Sequence, residues 1–295
     1  MMSDQITVPE GCKVISGLPS QMPYQTYYVE GTYATREVEG RERPLRYYAV
    51  LPTRGNPMGS QGDASLRYPT LVYCQGSGWH QQWLWHHLAH HVRMAERGFA
   101  VISVEVRPYG ETVFPGEVDD FLDAVRYVHE HAAELRVDVD RISFWGDSSG
   151  AHTALMGAYT AQDELAPRCV VDWYGPSDLV LLSTQRSIME LHGPESPAGR
   201  LLGGIELADH LDEARAASPV AYVTPESATP PTLIMHGSED PFLPFAQSAA
   251  LYERLRACGK DVEFYCMQGD GHGEGQFDND AVLDLVEAFV RRDLG

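Results

Sequence analysis

Apolar and polar positions along the chain fall into two different rhythms. Gln25 to Thr35 and Pro44 to Leu51 carry strand-forming residues in near alternation and predict an antiparallel start to a sheet. Beyond a polar, glycine-containing loop over Gly55 to Leu66, short unbroken apolar runs alternate with helix-period segments. The runs predict strands at Thr70–Gln75, Phe99–Val106, Arg141–Gly146, Cys169–Tyr174, Thr232–His236 and Val262–Met267. Between and after them, helices are expected over Trp83–Arg97, Glu117–Leu135, Ser149–Ala161, Phe245–Cys258 and Asn279–Arg292. Strands buried on both faces and separated by helices imply a mostly parallel central sheet covered on both sides, an α/β fold. Residues 1–22 show no periodicity and are expected to be an irregular lead-in to a single domain over 23–295. One stretch breaks the rhythm. About residues 176–230, prolines and glycines interrupt two or three short amphipathic pieces, and an insertion there is expected to cap whatever lies at the strand ends.

Composition narrows the class of protein. Lys and Arg number 22 against 42 Asp and Glu, a formal charge of -20, which argues against nucleic acid or an anionic membrane as partner. Five dispersed cysteines (Cys12, Cys74, Cys169, Cys258, Cys266) form no Cys-x-x-Cys, so reduced and mostly buried thiols are expected. The first residues lack the basic and apolar regions of a signal peptide, and no apolar run reaches membrane-span length, so a cytoplasmic location is expected.

Candidate chemistry enters at Gly146-Asp147-Ser148-Ser149-Gly150, a Gly-x-Ser-x-Gly between a strand and a helix. A serine on so sharp a turn is held with its hydroxyl exposed, and the helix behind it offers free N–H groups to an oxyanion. A nucleophilic serine needs a histidine to take its proton and a carboxylate to orient that histidine. Downstream, the apolar run Pro231–Gly237 leads into Ser238-Glu239-Asp240-Pro241. Asp240 is the expected acid, with neighbouring Glu239 as its rival. The next strand closes on Gly271-His272-Gly273, making His272 the expected general base. Gln75-Gly76-Ser77-Gly78-Trp79 follows the strand at Thr70 as a loop of small residues. The amides of Ser77 and Gly78, with that of Ser149, are the expected oxyanion hole.

With these motifs in place the chain resembles α/β-hydrolase serine esterases of the hormone-sensitive-lipase-like branch, and within them bacterial feruloyl and acetylxylan esterase-like proteins. The resemblance runs over about residues 40–292. It includes Val104-Glu-Val-Arg-Pro108 with Phe114-Pro115, Asp172-Trp-Tyr-Gly-Pro-Ser-Asp178 and His236-Gly-Ser-Glu-Asp-Pro241 beside the motifs above. Gln75 and Ser77 depart from the family's His-Gly-Gly-Gly. The resemblance implies an α/β-hydrolase fold and hydrolysis of short-acyl or hydroxycinnamoyl esters of carbohydrates or small glycosides through an acyl-enzyme; no metal and no organic cofactor are expected, and the partner is a small-molecule ester.

Other features are open at this level. Gln75, Trp79, Leu179 and Met189 are the expected substrate contacts, the last two from the cap, whose apolar residues could equally serve only to pack it down. Trp79, Trp83 and Trp85 either wall a sugar or phenolic ring or pack the first helix. His86, His87, His90 and His91 have i, i+4 spacing but no carboxylate or cysteine in register, so a partly exposed histidine face is expected instead of a metal site. Rival readings are an aryl formamidase, a prolyl-type peptidase, a long-chain lipase or a non-catalytic binder on the same fold. The peptidase would be expected to carry a propeller-sized domain ahead of the hydrolase body. Whether the chain forms a homo-oligomer is open.

Overall fold

The computed structural model describes residues 24–53 and 65–294. The lead-in expected over 1–22 and most of the loop expected over 55–66 lie outside the described residues. Strands β1 (Gln25–Val38) and β2 (Arg41–Thr53) form a long antiparallel hairpin, followed by β3 (Tyr68–Cys74). Helix α1 (Leu88–Glu96), strand β4 (Ala100–Val104), helix α2 (Gly116–Glu130), strand β5 (Val137–Asp147) and helix α3 (Ser148–Thr160) come next. Strand β6 (Val170–Trp173) opens the interrupted stretch, which contains only α4 (Leu179–Leu182), α5 (Pro197–Leu201), α6 (Leu211–Ala216) and single 3₁₀ turns. The chain finishes with β7 (Thr232–Gly237), α7 (Ala246–Ala257), β8 (Val262–Met267) and α8 (Asp280–Arg292).

The eight strands among the described residues join one sheet in the order β1-β2-β4-β3-β5-β6-β7-β8. β2 pairs antiparallel with both β1 and β4, and every pairing from β4 through β8 is parallel. Alternate residues of the central strands feed two cores, which is why their sequences read as continuous apolar runs. Val72, Ile102, Phe144 and Ile234 pack with residues of α2, α3 and α7 on one face. Leu71, Val101, Trp145 and Met235 pack with α1 and α8 on the other. A third cluster, around Leu179, Leu182, Leu191 and Leu201, holds the interrupted stretch together and reaches Trp79.

Two expectations are corrected. The first helix starts at Leu88, not Trp83: the residues ahead of it close tight turns, with the His86 amide donating to Trp83 O at 2.9 Å and the Leu88 amide to Trp85 O at 3.1 Å. Gln75 Oε1 accepts from the Trp83 amide at 2.6 Å, while Gln82 bonds Gln75 O at 2.7 Å and the Val106 amide at 2.8 Å. The histidines are not a partly exposed face either: His87, His90 and His91 are buried and only His86 is open to solvent. Of the described cysteines, Cys74 and Cys169 are buried, Cys258 is half-buried and Cys266 is exposed on β8. No helix among the described residues is long and apolar enough to cross a membrane.

Candidate active site

The site lies where β3, β5, β7 and β8 end. β5 passes into α3 without a connecting loop, so Ser148 must turn the chain and takes φ of +50°, a conformation that costs a non-glycine residue energy. The turn is possible because Gly146 and Gly150 lack side chains. A Cβ on Gly150 would collide with the Cys74 carbonyl of β3, and one on Gly146 would strike the backbone of Gly150. β7 ends in the turn that carries Asp240, and β8 ends in the turn that carries His272.

These three side chains, far apart in sequence, form one chain of hydrogen bonds. Ser148 Oγ lies 2.9 Å from His272 Nε2, and His272 Nδ1 lies 2.6 Å from Asp240 Oδ2. Nδ1 faces a carboxylate and so carries the ring proton, which leaves Nε2 to accept from the serine hydroxyl. Glu239, the rival acid, is exposed, whereas the Asp240 carboxylate is fully buried.

Asp240 is held by more than His272. Its Oδ1 accepts from the amides of Phe242 and Leu243 at 2.8 and 2.9 Å, and Oδ2 also meets His236 Nε2 at 3.1 Å. Burial pushes the Asp240 carboxyl upward, but the bonds from His236, His272 and the Leu243 amide outweigh it and hold the group well below the usual carboxylate range. His236 faces two acceptors through Nε2, Asp240 Oδ2 and Leu243 O, while Nδ1 takes the Ser248 hydroxyl at 2.7 Å. That pattern makes it an Nε2–H donor that orients the acid. Sequence reading missed this role, although a histidine inside the apolar run of β7 signals a buried group needing partners. It also missed Tyr174, whose ring packs 4.6 Å from that of His272.

The loop after β3 differs from expectation in one donor. Ser149 Oγ accepts from the Ser77 amide at 2.9 Å and the Trp79 amide at 3.1 Å. The Ser77 amide, expected in the oxyanion hole, is therefore already spent on the protein. Those of Gly78 and Ser149 donate to no group among the described residues. Gly78 and Trp79 have φ of +61° and +56°, so the loop is held in a left-handed bend at the mouth of the site. Behind it, Asp147 Oδ1 accepts from the Gly76 amide at 2.8 Å and from the Tyr73 hydroxyl. His87 Nε2 lies 3.4 Å from Asp147 Oδ2. Burial opposes charge on both, yet their mutual bond prevails, lowering the Asp147 pKa and raising that of His87.

A cavity of about 410 Å³ opens over Ser148, with Gly78, Trp79, Leu182, Met189, Leu191 and Phe242 in its walls. Trp79 and Met189 thus stand where substrate contacts were expected. Leu179 does not: it is fully buried in the cluster that packs the interrupted stretch. Gln75 does not either, because both ends of its amide are engaged by the Trp83 amide and the Gly76 carbonyl. The tryptophans separate, with Trp79 in this cavity and Trp83 and Trp85 outside it. His87, His90 and His91 spend ring nitrogens on Asp147, the Phe277 carbonyl and the Tyr48 hydroxyl.

The chain is similar to known proteins in sequence and in fold. Esterase LipQ of Mycobacterium tuberculosis is 28% identical over 190 residues, covering 61% of this chain and 44% of LipQ, so the chain spans less than half of that relative. Ethyl acetate hydrolase of Pseudomonas putida is 31% identical over 255 residues, covering 79% of this chain and 72% of that protein. Among solved structures, a truncated form of a carbohydrate esterase from gut microbiota superposes with a TM-score of 0.75 at 24% identity, covering 94% of this chain and 99% of the other. That likeness carries the fold, an α/β-hydrolase. The BD-FAE family model matches residues 60–255, more than half of the sequence, and the chain belongs to the BD-FAE family.

Proposed function

We propose that the protein is a serine carboxylesterase that cleaves short-acyl esters of carbohydrates or small glycosides through an acyl-enzyme. The observation that carries the reading is His272 bridging Ser148 Oγ and Asp240 Oδ2 at hydrogen-bond distance. As Ser148 Oγ attacks the ester carbonyl carbon, its proton passes to His272 Nε2. Asp240 keeps the ring in the Nδ1–H tautomer and stabilises the imidazolium that forms. The carbonyl oxygen becomes an oxyanion and takes hydrogen bonds from the free amides of Gly78 and Ser149, the latter at the positive end of α3. His272 then gives its proton to the departing alcohol, and a water activated in the same way releases the acid. Each step uses groups of this chain alone. The names of the relatives, an esterase and an ethyl acetate hydrolase, agree with this chemistry.

Ser148→Ala removes the nucleophile and is expected to lower kcat on p-nitrophenyl acetate by on the order of 10⁴ or more. A fluorophosphonate probe is expected to label the parent at Ser148 and to leave the variant unlabelled. Turnover by the variant near the parent's rate would overturn the reading.

A further inference from the structure

His87 directly precedes α1, and its buried ring forms part of the wall of the cavity over Ser148. The hydrogen bonds around it fix its protonation. His90 Nε2 faces two acceptors, the Phe277 carbonyl at 3.2 Å and Asp278 Oδ1 at 3.5 Å, so that nitrogen carries a hydrogen. Burial pushes the His90 pKa down to about 4, which leaves the ring neutral and its Nδ1 a bare acceptor. His87 Nδ1 lies 3.3 Å from that acceptor and must donate to it. His87 Nε2 faces the Asp147 carboxylate at 3.4 Å and must donate there as well. A ring that donates from both nitrogens is an imidazolium. Tyr73 of β3, His86 and His91 also surround it, and Asp278, in the turn before α8, is a second carboxylate acting on it. Burial disfavours the charge on His87, but Asp147 and Asp278 outweigh it.

That charge sits where the reaction needs it. Asp147 immediately precedes the nucleophile and is buried, so its carboxylate requires a partner. His87 answers Oδ2, while Oδ1 accepts from the Gly76 amide and the Tyr73 hydroxyl. Gly76 begins the bend that bears Gly78, and it approaches this closely because a Cβ there would strike Asp147. On the other side, Ser149 Oγ holds the amides of Ser77 and Trp79. The loop is thus fastened before and after Gly78, whose own amide is uncommitted among the described residues. An uncharged His87 would leave a lone buried carboxylate beside the nucleophile, repelling the oxyanion and loosening the hold on Gly76.

We infer that His87 is a positioning residue for the oxyanion loop: as an imidazolium it answers Asp147, which fixes the Gly76 amide and through it the donor of Gly78. The inference rests on the esterase reading, since only an oxyanion makes use of that donor. It adds an alkaline dependence of rate to the acidic one expected of His272.

The protonation is read first, on the parent enzyme. At neutral pH, ¹H–¹⁵N correlation spectra assigned by triple resonance are expected to show both ring nitrogens of His87 carrying hydrogen. The ring is expected to become neutral only above the ordinary histidine range. These spectra require no variant, so they decide the matter even where a substitution at this position fails to fold. His87→Gln keeps a donor toward Asp147 but carries no charge. Its kcat on p-nitrophenyl acetate at neutral pH is expected to be about tenfold below the parent's, with KM within about twofold. Parent and variant are expected to converge as pH rises and the parent's His87 loses its proton. A purely structural role would give a ratio independent of pH. A neutral His87 ring at neutral pH, or a parent-to-variant kcat ratio that is unity or constant with pH, overturns the inference. The esterase reading fails separately, through p-nitrophenyl acetate turnover that survives undiminished in Ser148→Ala.

Discussion

Asp240 illustrates how much a single carboxylate depends on its surroundings. Two backbone amides, His236 and His272 all direct hydrogens at it, so it stays ionised at acidities where an ordinary aspartate takes up a proton. Asp240 therefore adds no acid limb of its own to the pH–rate profile. Log kcat/KM for p-nitrophenyl acetate is expected to fall with a slope of about one as pH drops, and a slope nearing two would show Asp240 titrating too. Asp240→Asn places an amide opposite Nδ1, favours the wrong tautomer and is expected to cost about 10⁴ in kcat. Glu239→Gln, at an exposed position, is expected to leave kcat within about twofold. The order of serine, acid and base was legible because each follows a recognisable strand. The loss of Ser77 as an oxyanion donor was not, since it depends on where the Ser149 hydroxyl points.

At the scale of elements, the central strands could be read because a parallel strand covered on both faces leaves an unbroken apolar run. β8 matches its expected limits residue for residue. The start of α1 was misplaced because Trp83, Leu84 and Trp85 satisfy a helical pattern while their carbonyls close tight turns, Trp83 O to the His86 amide and Trp85 O to the Leu88 amide. Helix α2 holds a feature no pattern reveals. Glu117, in its first turn, is buried with both carboxylate oxygens meeting no donor from another of the described residues, and burial pushes its pKa to about 8. In the unfolded chain the same group ionises near 4.3. Between those values the folded state holds a proton the unfolded state has released, so this group's contribution to stability declines as pH rises. Glu117→Gln removes that dependence. The Tm difference between variant and parent is expected to move in the variant's favour by on the order of several degrees from pH 5 to pH 9. A constant difference across that range would refute the buried-acid account.

Across the whole molecule, the interrupted stretch between β6 and β7 sets what reaches Ser148. Leu182, Met189 and Leu191 come from it, and Trp79 and Phe242 complete an enclosure of about 410 Å³. With short-acyl esters as the proposed substrates, this enclosure is where the acyl group would be selected. Along a series of p-nitrophenyl esters, kcat/KM is expected to peak between acetate and butyrate and to fall by about tenfold or more at laurate. A peak at laurate would mean that this stretch opens. Its existence was legible from its prolines and glycines, but which residues face inward was not: Leu179 and Leu182 are three apart on one short helix, and only Leu182 reaches the cavity.

The order in which the sheet is assembled has a consequence during synthesis. Ser148 and its turn come before β6, β7 and β8, whereas His272 sits in the turn after β8, an edge strand and the last in sequence of the described strands. Until that strand docks against β7, the serine has no proton acceptor and the nascent polypeptide is chemically silent. On the esterase reading, activity would thus await the docking of β8.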